Sequence, residues 1–277
     1  MYVSQAKHCA QTHQIFCTTL LRLNFLLLFG FAVGHLVENK CVKTLFSRMQ
    51  WQQFWDKQAE LADVQQQVGR VSRATGAVAP QEIAAHIGQL LDLQKHDDLL
   101  DVCCGNGALT MLLAPQVAFC SGVDLSPKQI ALAQKHYPAG DWHTLPAHKL
   151  AQLPRSYAKI NLYFSFQYFT SAAEALAVLH ALKAVLKPGG CILLGDIPDA
   201  DRWWVYYSSG WSRLRWLWQR LRGREDMGRF WRQRDLARLA AKAGFQIRFL
   251  AEPPQLPFAW YRFDALLTEA AAATKTS

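Results

Sequence analysis

The cysteine patterns that are typical of zinc sites and disulfide frameworks are missing from this 277-residue sequence. Its seven cysteines are an odd number, and no two of them form a CxxC pair or part of a CxxC…HxxxH arrangement. Neither a disulfide framework nor a metal site is therefore favoured. We expect reduced thiols in a cytoplasmic domain.

No uninterrupted apolar run is long enough to cross a bilayer. The best candidate, residues 23–37, is shorter than the ~20 apolar residues that a span requires, and extending it N-terminally would bury Arg22. Residues 1–48 also lack a clear A-x-A cleavage site. We interpret them as an extension that either associates with a membrane or is non-native, with translation starting at Met49. A cleaved signal peptide is the third alternative.

Acidic residues are fewer than basic ones, 21 against 30, which gives a formal net charge of +9. Residues 1–48 hold five Lys/Arg and one Glu, and residues 197–234 hold nine Arg and four Asp/Glu. The rest of the chain is neutral. Such basic segments suit anionic substrates, membrane surfaces or nucleic acid. Nucleic acid is the least favoured partner, because the chain outside these two segments has no net positive charge that could bind further phosphates.

From Asp97 onward, short apolar runs alternate with helical stretches. Strands are predicted over Leu99–Cys103, Val117–Val123, Trp142–Leu145, Ile160–Phe166, Cys191–Leu194, Phe245–Leu250 and Arg262–Leu267. Helices are predicted to begin at Pro80, at Ala108 and after Ser126, and to cover Ala172–Leu186 and Asp235–Ala243. This alternation predicts an α/β, doubly wound (Rossmann-like) and mostly parallel sheet. The whole chain is 51% hydrophobic, which suits one globular domain, and we assign this domain to residues 49–277.

Residues 197–234 interrupt this alternation with six tryptophans among nine arginines. We interpret them as a helical insertion between strands 5 and 6 that lies outside the core. Four of its apolar residues recur at helical spacing: Leu214, Leu217, Trp218 and Leu221. The segment could be a lid over an acceptor, an amphipathic element at a membrane, a nucleic-acid surface or an ordinary basic helix. A lid for a membrane-facing or anionic acceptor is favoured.

A strand, the turn Gly105-Asn-Gly107 and a helix follow one another, and a second strand leads to Asp124. Glycine lets the backbone approach a ligand, and an acid at the second strand's end can accept hydrogen bonds from ribose hydroxyls. These features indicate a nucleoside-containing cofactor. Alone, they do not distinguish NAD from S-adenosylmethionine.

Three details favour the sulfonium cofactor. Thr110 occupies the third glycine position of a dinucleotide fingerprint, and Asp101 beneath the loop would repel a pyrophosphate but suit an ammonium group. Residues 105–110 also contain no basic side chain to neutralise phosphates.

Three segments follow one another along the chain: Asp101-Val-Cys-Cys-Gly-Asn-Gly107, Gly122-Val-Asp-Leu-Ser126 and Leu186-Lys-Pro-Gly-Gly190. In this order they resemble the successive motifs of class I S-adenosylmethionine-dependent methyltransferases. The Cys-Cys form is similar to the ubiquinone and menaquinone methyltransferases. The resemblance covers about residues 60–270 and implies a seven-stranded sheet with the last strand antiparallel.

The resemblance also implies which residues bind the cofactor. The set is Asp101, Cys103, Cys104, Gly105, Asn106, Gly107, Asp124, Leu125 and Ser165. Asp101 and the turn would surround the methionine part, Asp124 would hold the ribose and Leu125 would flank the adenine. In this sequence Cys103 replaces the family's first loop glycine, which is expected to narrow the turn. The stretch Leu145-Pro-Ala-His148 lacks the acid that often holds the adenine amino group.

Methyl transfer needs positioning of the acceptor, and it needs a base only if the nucleophile must lose a proton. The candidate catalytic residues are Gln167, Tyr168 and His148. A single histidine such as His148 or His143 is more often a surface or satisfied residue than a catalytic one, and Asp196 and Asp199 are at least as well explained as caps of the next turn. Cys104 is interpreted as a small packed residue. The Ser165-Phe-Gln167 stretch would face the transferable methyl group.

The resulting hypothesis is a small-molecule methyltransferase that acts on a lipid-like or anionic acceptor. Quinone precursors and polyprenyl-linked or glycan intermediates are examples. The enzyme would be cytoplasmic, with peripheral membrane contact as a further expectation. The alternatives are a nucleotide-dependent oxidoreductase and a non-catalytic scaffold that keeps the cofactor pocket.

Overall fold

A computed structural model of the chain describes residues 51–60, 80–221 and 227–270. The interpretations of residues 1–48 concern positions outside these ranges. Among the described residues, no helix is both long enough and apolar enough to cross a membrane. Residues 51–58 are helical and precede the sheet domain.

Seven strands form a single sheet in the order β3-β2-β1-β4-β5-β7-β6. Their bounds are β1 Asp98–Val102, β2 Phe119–Asp124, β3 Asp141–Thr144, β4 Tyr157–Tyr163, β5 Leu186–Pro198, β6 Phe245–Ala251 and β7 Arg262–Glu269. Strands β1 to β5 pair in parallel, and β7 is antiparallel to both β5 and β6. The predicted doubly wound sheet and its antiparallel last strand are confirmed.

Seven α-helices accompany the sheet within the ranges 80–221 and 227–270. They are α1 Pro80–Leu91, α2 Ala108–Leu113, α3 Pro127–His136, α4 Ala172–Ala184, α5 Trp203–Tyr206, α6 Gly210–Leu221 and α7 Gln233–Lys242. Short 3-10 turns cover Ala114–Gln116, Ala147–Gln152, Phe166–Tyr168 and Ala200–Arg202. Ser126 caps α3 as predicted, since its hydroxyl accepts a hydrogen bond from the Gln129 amide at 3.1 Å.

Two apolar clusters cover opposite faces of the sheet. Leu99 and Leu193 point to the face covered by α1 and α2, whereas their neighbours Leu100 and Leu194 point to the face covered by α4 and α7. This alternation follows from the two-residue period of a strand. Strands β1 and β5 are therefore buried on both faces. This explains why their sequences are continuously apolar and do not alternate between apolar and polar residues.

The end of α4 and the start of β5 differ from the prediction. The helix ends at Ala184, and Lys187-Pro-Gly-Gly190 belongs to β5 rather than to a stop between helix and strand. The pairing with β4 begins early, because the Tyr157 amide donates to the Val185 carbonyl at 2.8 Å. A long-range strand pairing thus prevails over a local proline and glycine pattern.

The insertion is shorter than predicted. It departs from the sheet after Pro198 and returns at Trp231, whose amide donates to the Pro198 carbonyl at 2.8 Å. Trp231 is buried, and its ring packs against Phe166 at 5.3 Å. Ile197 is buried as well. The prediction that residues 197–234 lie wholly outside the core was therefore wrong at both ends of the segment.

Candidate functional site

A cavity of about 170 Å³ lies at the carboxyl ends of β1 to β4. This is the edge where the strand order reverses between β1 and β4, which is where open α/β sheets bind ligands. Ten of the predicted site residues line it: Asp101, Cys103, Cys104, Gly105, Asn106, Asp124, Leu125, His148, Ser165 and Tyr168. The predicted residues Gly107 and Gln167 are not in the lining.

The turn after β1 adopts left-handed backbone conformations at three positions. Gly105 has φ +56° and borders the cavity, whereas Gly107 has φ +77° and precedes α2. A Cβ atom at Gly107 would lie 2.4 Å from Cη2 of Trp142. Gly107 therefore supports the turn from behind, and Gly105 is the glycine that faces the cavity.

Cys103 is the third left-handed position, with φ +61°. A residue with a side chain pays roughly 1–2 kcal/mol for this conformation, which glycine adopts freely. The backbone therefore keeps the shape of a glycine turn although the residue has changed. Burial raises the pKa of the Cys103 thiol, and also that of Cys104, so both are uncharged near neutral pH. Cys104 packs beside Ile130 and Trp142, in agreement with its interpretation as a packed residue.

Asp124 connects the end of β2 to the glycine turn. Its Oδ2 accepts a hydrogen bond from the Gly105 amide at 2.9 Å, and its Oδ1 accepts one from the Ser126 amide at 2.8 Å. Burial raises the pKa of this carboxyl group, and the two amides partly oppose that shift. The carboxylate borders the cavity, as the sequence predicted for a ribose ligand.

Asp101 is a buried carboxylate at the opposite side of the turn. Thr110 Oγ1 donates to its Oδ2 at 2.5 Å, and Asn161 Nδ2 donates to its Oδ1 at 2.8 Å. Burial raises the pKa of Asp101 to about 6, despite these two hydrogen bonds. Thr110, which stands where a dinucleotide fingerprint has its third glycine, thus orients Asp101. The sequence identified Thr110 as a departure from that fingerprint but did not predict its hydrogen bond to Asp101.

The helix formed by residues 51–58 places two indole rings in the lining of the cavity. Trp51 contacts Tyr168 with ring centroids 4.3 Å apart, and Trp55 contacts the same ring at 5.6 Å. Polar contacts fix the segment to α3, since the Ser126 hydroxyl donates to Asp56. The sequence analysis missed these two tryptophans, although their spacing of four residues was a usable sign of a shared helix face.

Farther along the same segment, Glu60 forms an ion pair of 2.6 Å with Lys128 at the start of α3. Both side chains are mostly exposed, so this pair adds little stability. The backbone carbonyl of Trp55 also accepts a hydrogen bond from Gln129 Nε2 at 3.3 Å. The two contacts join the segment to α3 over about one helical turn.

The three candidate catalytic residues separate in the structure. His148, in the 3-10 turn after β3, and Tyr168 both line the cavity. The side chain of Gln167 is buried instead, and the backbone carbonyl of this residue accepts a hydrogen bond from the Arg229 amide at 2.7 Å. Successive residues of a 3-10 turn point about 120° apart, which explains why Tyr168 reaches the cavity and Gln167 does not.

Two other candidates have structural roles. His143 Nε2 lies 3.0 Å from Asp141 Oδ2 on β3, and neither residue is in the cavity lining. Asp199 caps the turn after β5, because its Oδ1 accepts a hydrogen bond from the Asp201 amide at 2.9 Å.

Asp196 belongs to a buried polar cluster between β5, β7 and α1. Arg262 donates to the Asp196 carbonyl at 2.6 Å and also contacts its carboxylate. The Asp196 amide donates to Asp264 at 2.9 Å, and Asp264 lies 2.7 Å from His86 Nε2. Asp196 itself has φ +56°. These pairings join residues far apart in sequence, so local patterns gave no sign of them.

The sheet order and the glycine turn after β1 define the class of a Rossmann-like domain of methyltransferase type. The fold agrees with that of magnesium protoporphyrin IX methyltransferase from Synechocystis PCC 6803, solved with bound SAH. The TM-score is 0.56 at 16% identity, covering 81% of this chain and all of that chain.

The methyltransferase domain family matches residues 77–249, and the chain belongs to this family. A demethylmenaquinone methyltransferase from Chlorobaculum parvum is 33% identical over 99 residues, which are 35% of this chain and 40% of the relative. A ubiquinone biosynthesis O-methyltransferase from Pseudomonas aeruginosa is 24% identical over 156 residues, 54% of this chain and 65% of the relative. The chain thus spans about two fifths of the first relative and two thirds of the second. The predicted superfamily is confirmed.

Proposed function

We propose that the protein transfers a methyl group from S-adenosylmethionine to a small-molecule acceptor. The observation that supports this most directly is the buried Asp101 carboxylate beside the Gly105 turn, in the lining of the cavity. Within the described residues neither Asp101 nor Asp124 has a Lys or Arg in an ion pair. A buried carboxylate without a counter-ion suits a ligand that brings a positive charge.

The remaining lining fits the other parts of this cofactor. Asp124 would hold the ribose hydroxyls, and Asp101 with the Gly105 turn would hold the methionine ammonium. Leu125, Leu145 and Ala147 give the adenine end an apolar wall without an acidic side chain. The adenine amino group would then rely on backbone atoms, as the sequence suggested.

When bound, S-adenosylmethionine supplies a methyl carbon that its sulfonium already activates for in-line displacement. The protein has to position the acceptor and exclude water. Trp51 and Trp55 would exclude water from the side of residues 51–58, and Tyr168 lines the cavity in contact with both indole rings. His148 would accept a proton from a hydroxyl acceptor, and Tyr168 would hydrogen-bond to the acceptor oxygen, whereas an acceptor that is already anionic would need no base.

The acceptor is proposed to be lipid-like or anionic, such as a quinone precursor or a polyprenyl-linked or glycan intermediate. Its part of the cavity would be the apolar wall formed by Phe164, Phe169 and Val178. The names of the two relatives, which refer to menaquinone and ubiquinone, favour the quinone alternative.

A turnover assay tests this proposal. The full chain is incubated with S-adenosylmethionine and demethylated quinones or polyprenyl-linked sugars, and formation of S-adenosylhomocysteine is measured. Transfer to one of these classes is expected, and Asp124→Ala should abolish it. Cofactor binding without transfer to any of them would favour the scaffold alternative. Binding of NAD instead would favour the oxidoreductase.

Matched histidine variants locate the base. His148→Ala should lower kcat for a hydroxyl acceptor and leave cofactor affinity unchanged, because the imidazole would act only on the acceptor proton. His143→Ala is the control, since His143 pairs with Asp141 outside the cavity. Equal losses in both variants would remove His148 from the mechanism, and Tyr168→Phe would then be the informative change.

A further inference from the structure

The most apolar face of α6 points away from the protein. This exposed face of α6 consists of Trp211, Leu214, Leu217, Trp218 and Leu221, whose exposed fractions range from 46% to 79%. At ~100° per residue these five side chains share about 120° of the helix circumference. A helix on a globular domain normally turns such a stripe towards the core. Here the orientation is reversed.

The opposite face holds the helix in place. Trp216 packs against Trp203 with ring centroids 5.0 Å apart and against Tyr207 at 6.0 Å. Arg213 Nε donates to the Tyr207 carbonyl at 2.8 Å. These contacts fix the orientation of α6, so that the exposed face of α6 is held towards the solvent.

The charged residues of α6 itself are of one sign. The twelve residues of α6 include three arginines and no acidic residue. Arg215 is exposed and borders the apolar stripe on the helical projection. Helices that lie in the headgroup region of a membrane have this composition: tryptophan and leucine on one face, flanked by arginine, and no acidic residues.

We infer that the exposed face of α6 binds the surface of an anionic lipid bilayer. Electrostatic complementarity favours this occupant over a second copy of the chain, because residues 197–234 carry nine arginines against four acids. A symmetric dimer through α6 would bring two positive surfaces together. An anionic leaflet instead attracts each arginine by about 1 kcal/mol.

The position of α6 in the chain suggests a function for a contact between α6 and a membrane. The insertion begins at the carboxyl end of β5, on the sheet edge that also holds the cavity. An enzyme docked through α6 could take a lipid-like acceptor directly from the bilayer. The lipid contact itself does not depend on the proposed reaction, so the two can be tested separately.

Vesicle co-sedimentation of the full chain tests the inference. The probes are mixed phosphatidylcholine and phosphatidylglycerol vesicles, with pure phosphatidylcholine vesicles for comparison. Stronger partitioning onto the anionic vesicles is expected, and it should weaken with added salt. The double variant Trp211→Ser/Trp218→Ser should lower partitioning roughly tenfold or more, because two interfacial anchors are lost.

Three control variants make each outcome decisive. Trp260→Ser removes another exposed tryptophan outside α6 and should leave partitioning unchanged. Arg215→Gln should weaken anionic binding about fivefold, whereas Arg248→Gln, an exposed arginine on β6, should not. Leu27→Asp changes the apolar run near the N-terminus. If Leu27→Asp removes binding and the α6 double variant does not, the inference is overturned.

Three further results would also overturn the inference. The first is equal partitioning of the wild type and the double variant. The second is a dimer in sedimentation velocity, without lipid, that the double variant dissociates, because the face would then be a protein interface. Preferential binding to a single-stranded oligonucleotide over anionic vesicles would likewise contradict a lipid partner. Unchanged circular dichroism and Tm are expected for the exposed substitutions, so a loss of binding would not reflect unfolding.

Discussion

At the cavity, the buried Asp101 and the partly buried Asp124 have no Lys or Arg counter-ion among the described residues, whereas on α6 two tryptophans and three leucines are largely exposed. Each arrangement costs stability in the isolated chain. A buried charge loses its hydration, and exposed indole rings and leucines remain hydrated. A cationic ligand would remove the cost of the carboxylates in the cavity. An apolar or membrane surface would remove the cost of the exposed side chains on α6.

The difference separates two kinds of site. The cavity carboxylates lie on rigid strand ends and are fixed by hydrogen bonds to Gly105, Ser126, Thr110 and Asn161. They suit a small ligand in one orientation. The exposed face of α6 is instead a broad apolar surface and suits an extended, fluid surface. Substitutions at the cavity should therefore change the affinity for one molecule, and those on α6 the partition onto a surface.

The largest effect is expected at Asp124. Asp124→Ala should weaken binding of S-adenosylmethionine by roughly 100-fold, because charge-assisted hydrogen bonds to the ribose would be lost together with those that fix the turn. Isothermal titration measures this change. Asp98→Ala is the control, since Asp98 pairs with Lys187 at the start of β1. An unchanged affinity in Asp124→Ala would remove the ribose assignment.

Asp101 should show opposite effects on stability and binding. Its raised pKa means that the ionised form is disfavoured in the folded state, so a penalty is present above pH 6 and fades as the pH falls towards 4. Asp101→Asn should therefore stabilise the ligand-free protein near pH 7.5, by less than the full penalty of about 3 kcal/mol, because an amide nitrogen cannot accept one of the hydrogen bonds that Thr110 and Asn161 donate. Denaturant unfolding at pH 7.5 and pH 4.5 should show this gain shrinking at the lower pH.

The same titration predicts the pH dependence of binding. The affinity of the wild type for S-adenosylmethionine should fall as the pH drops through about 6, because protonated Asp101 no longer attracts an ammonium group. Asp101→Asn should bind weakly at all pH values and lack this step. A wild-type affinity that stays constant from pH 8 to 5, or a step that persists in the variant, would contradict the role of Asp101.

The cover formed by residues 51–58 should have a smaller effect. Trp55→Ala should weaken cofactor binding by about 2- to 10-fold, since one aromatic contact and part of the cavity wall are lost. Phe54→Ala is a matched control on the same helix, because Phe54 is exposed and does not line the cavity. Equal effects of the two variants would show that the helix, and not the Trp55 ring, matters.

The smallest effect concerns Cys103. Cys103→Gly should raise the free energy of unfolding by about 0.5–1 kcal/mol, because relief of the left-handed strain exceeds the added entropy of glycine in the unfolded chain. Cys104→Gly is expected to destabilise, since it removes a contact with Ile130 and Trp142. Chemical denaturation of both variants checks the difference, and a loss of stability in Cys103→Gly would mean that its side chain contributes packing.

The parts of the molecule that could be predicted from sequence are those that depend on neighbouring residues. The alternation of strands and helices, the Ser126 cap and the proximity of Asp124 to the glycine turn all follow from local patterns. The contacts of Trp51 with Tyr168 and of Arg262 with Asp196 join residues 66 or more positions apart. Gln167 was misplaced because the prediction did not include a 3-10 turn after β4. Tertiary packing decided these cases.

Titration of the full chain with S-adenosylmethionine, and separately with NAD, tests the methyl-donor assignment most directly. One molecule of S-adenosylmethionine should bind per chain near pH 7.5, with a heat that Asp101→Asn reduces and no detectable binding of NAD. Binding of NAD, with no heat from S-adenosylmethionine in either protein, would contradict the assignment of the cavity.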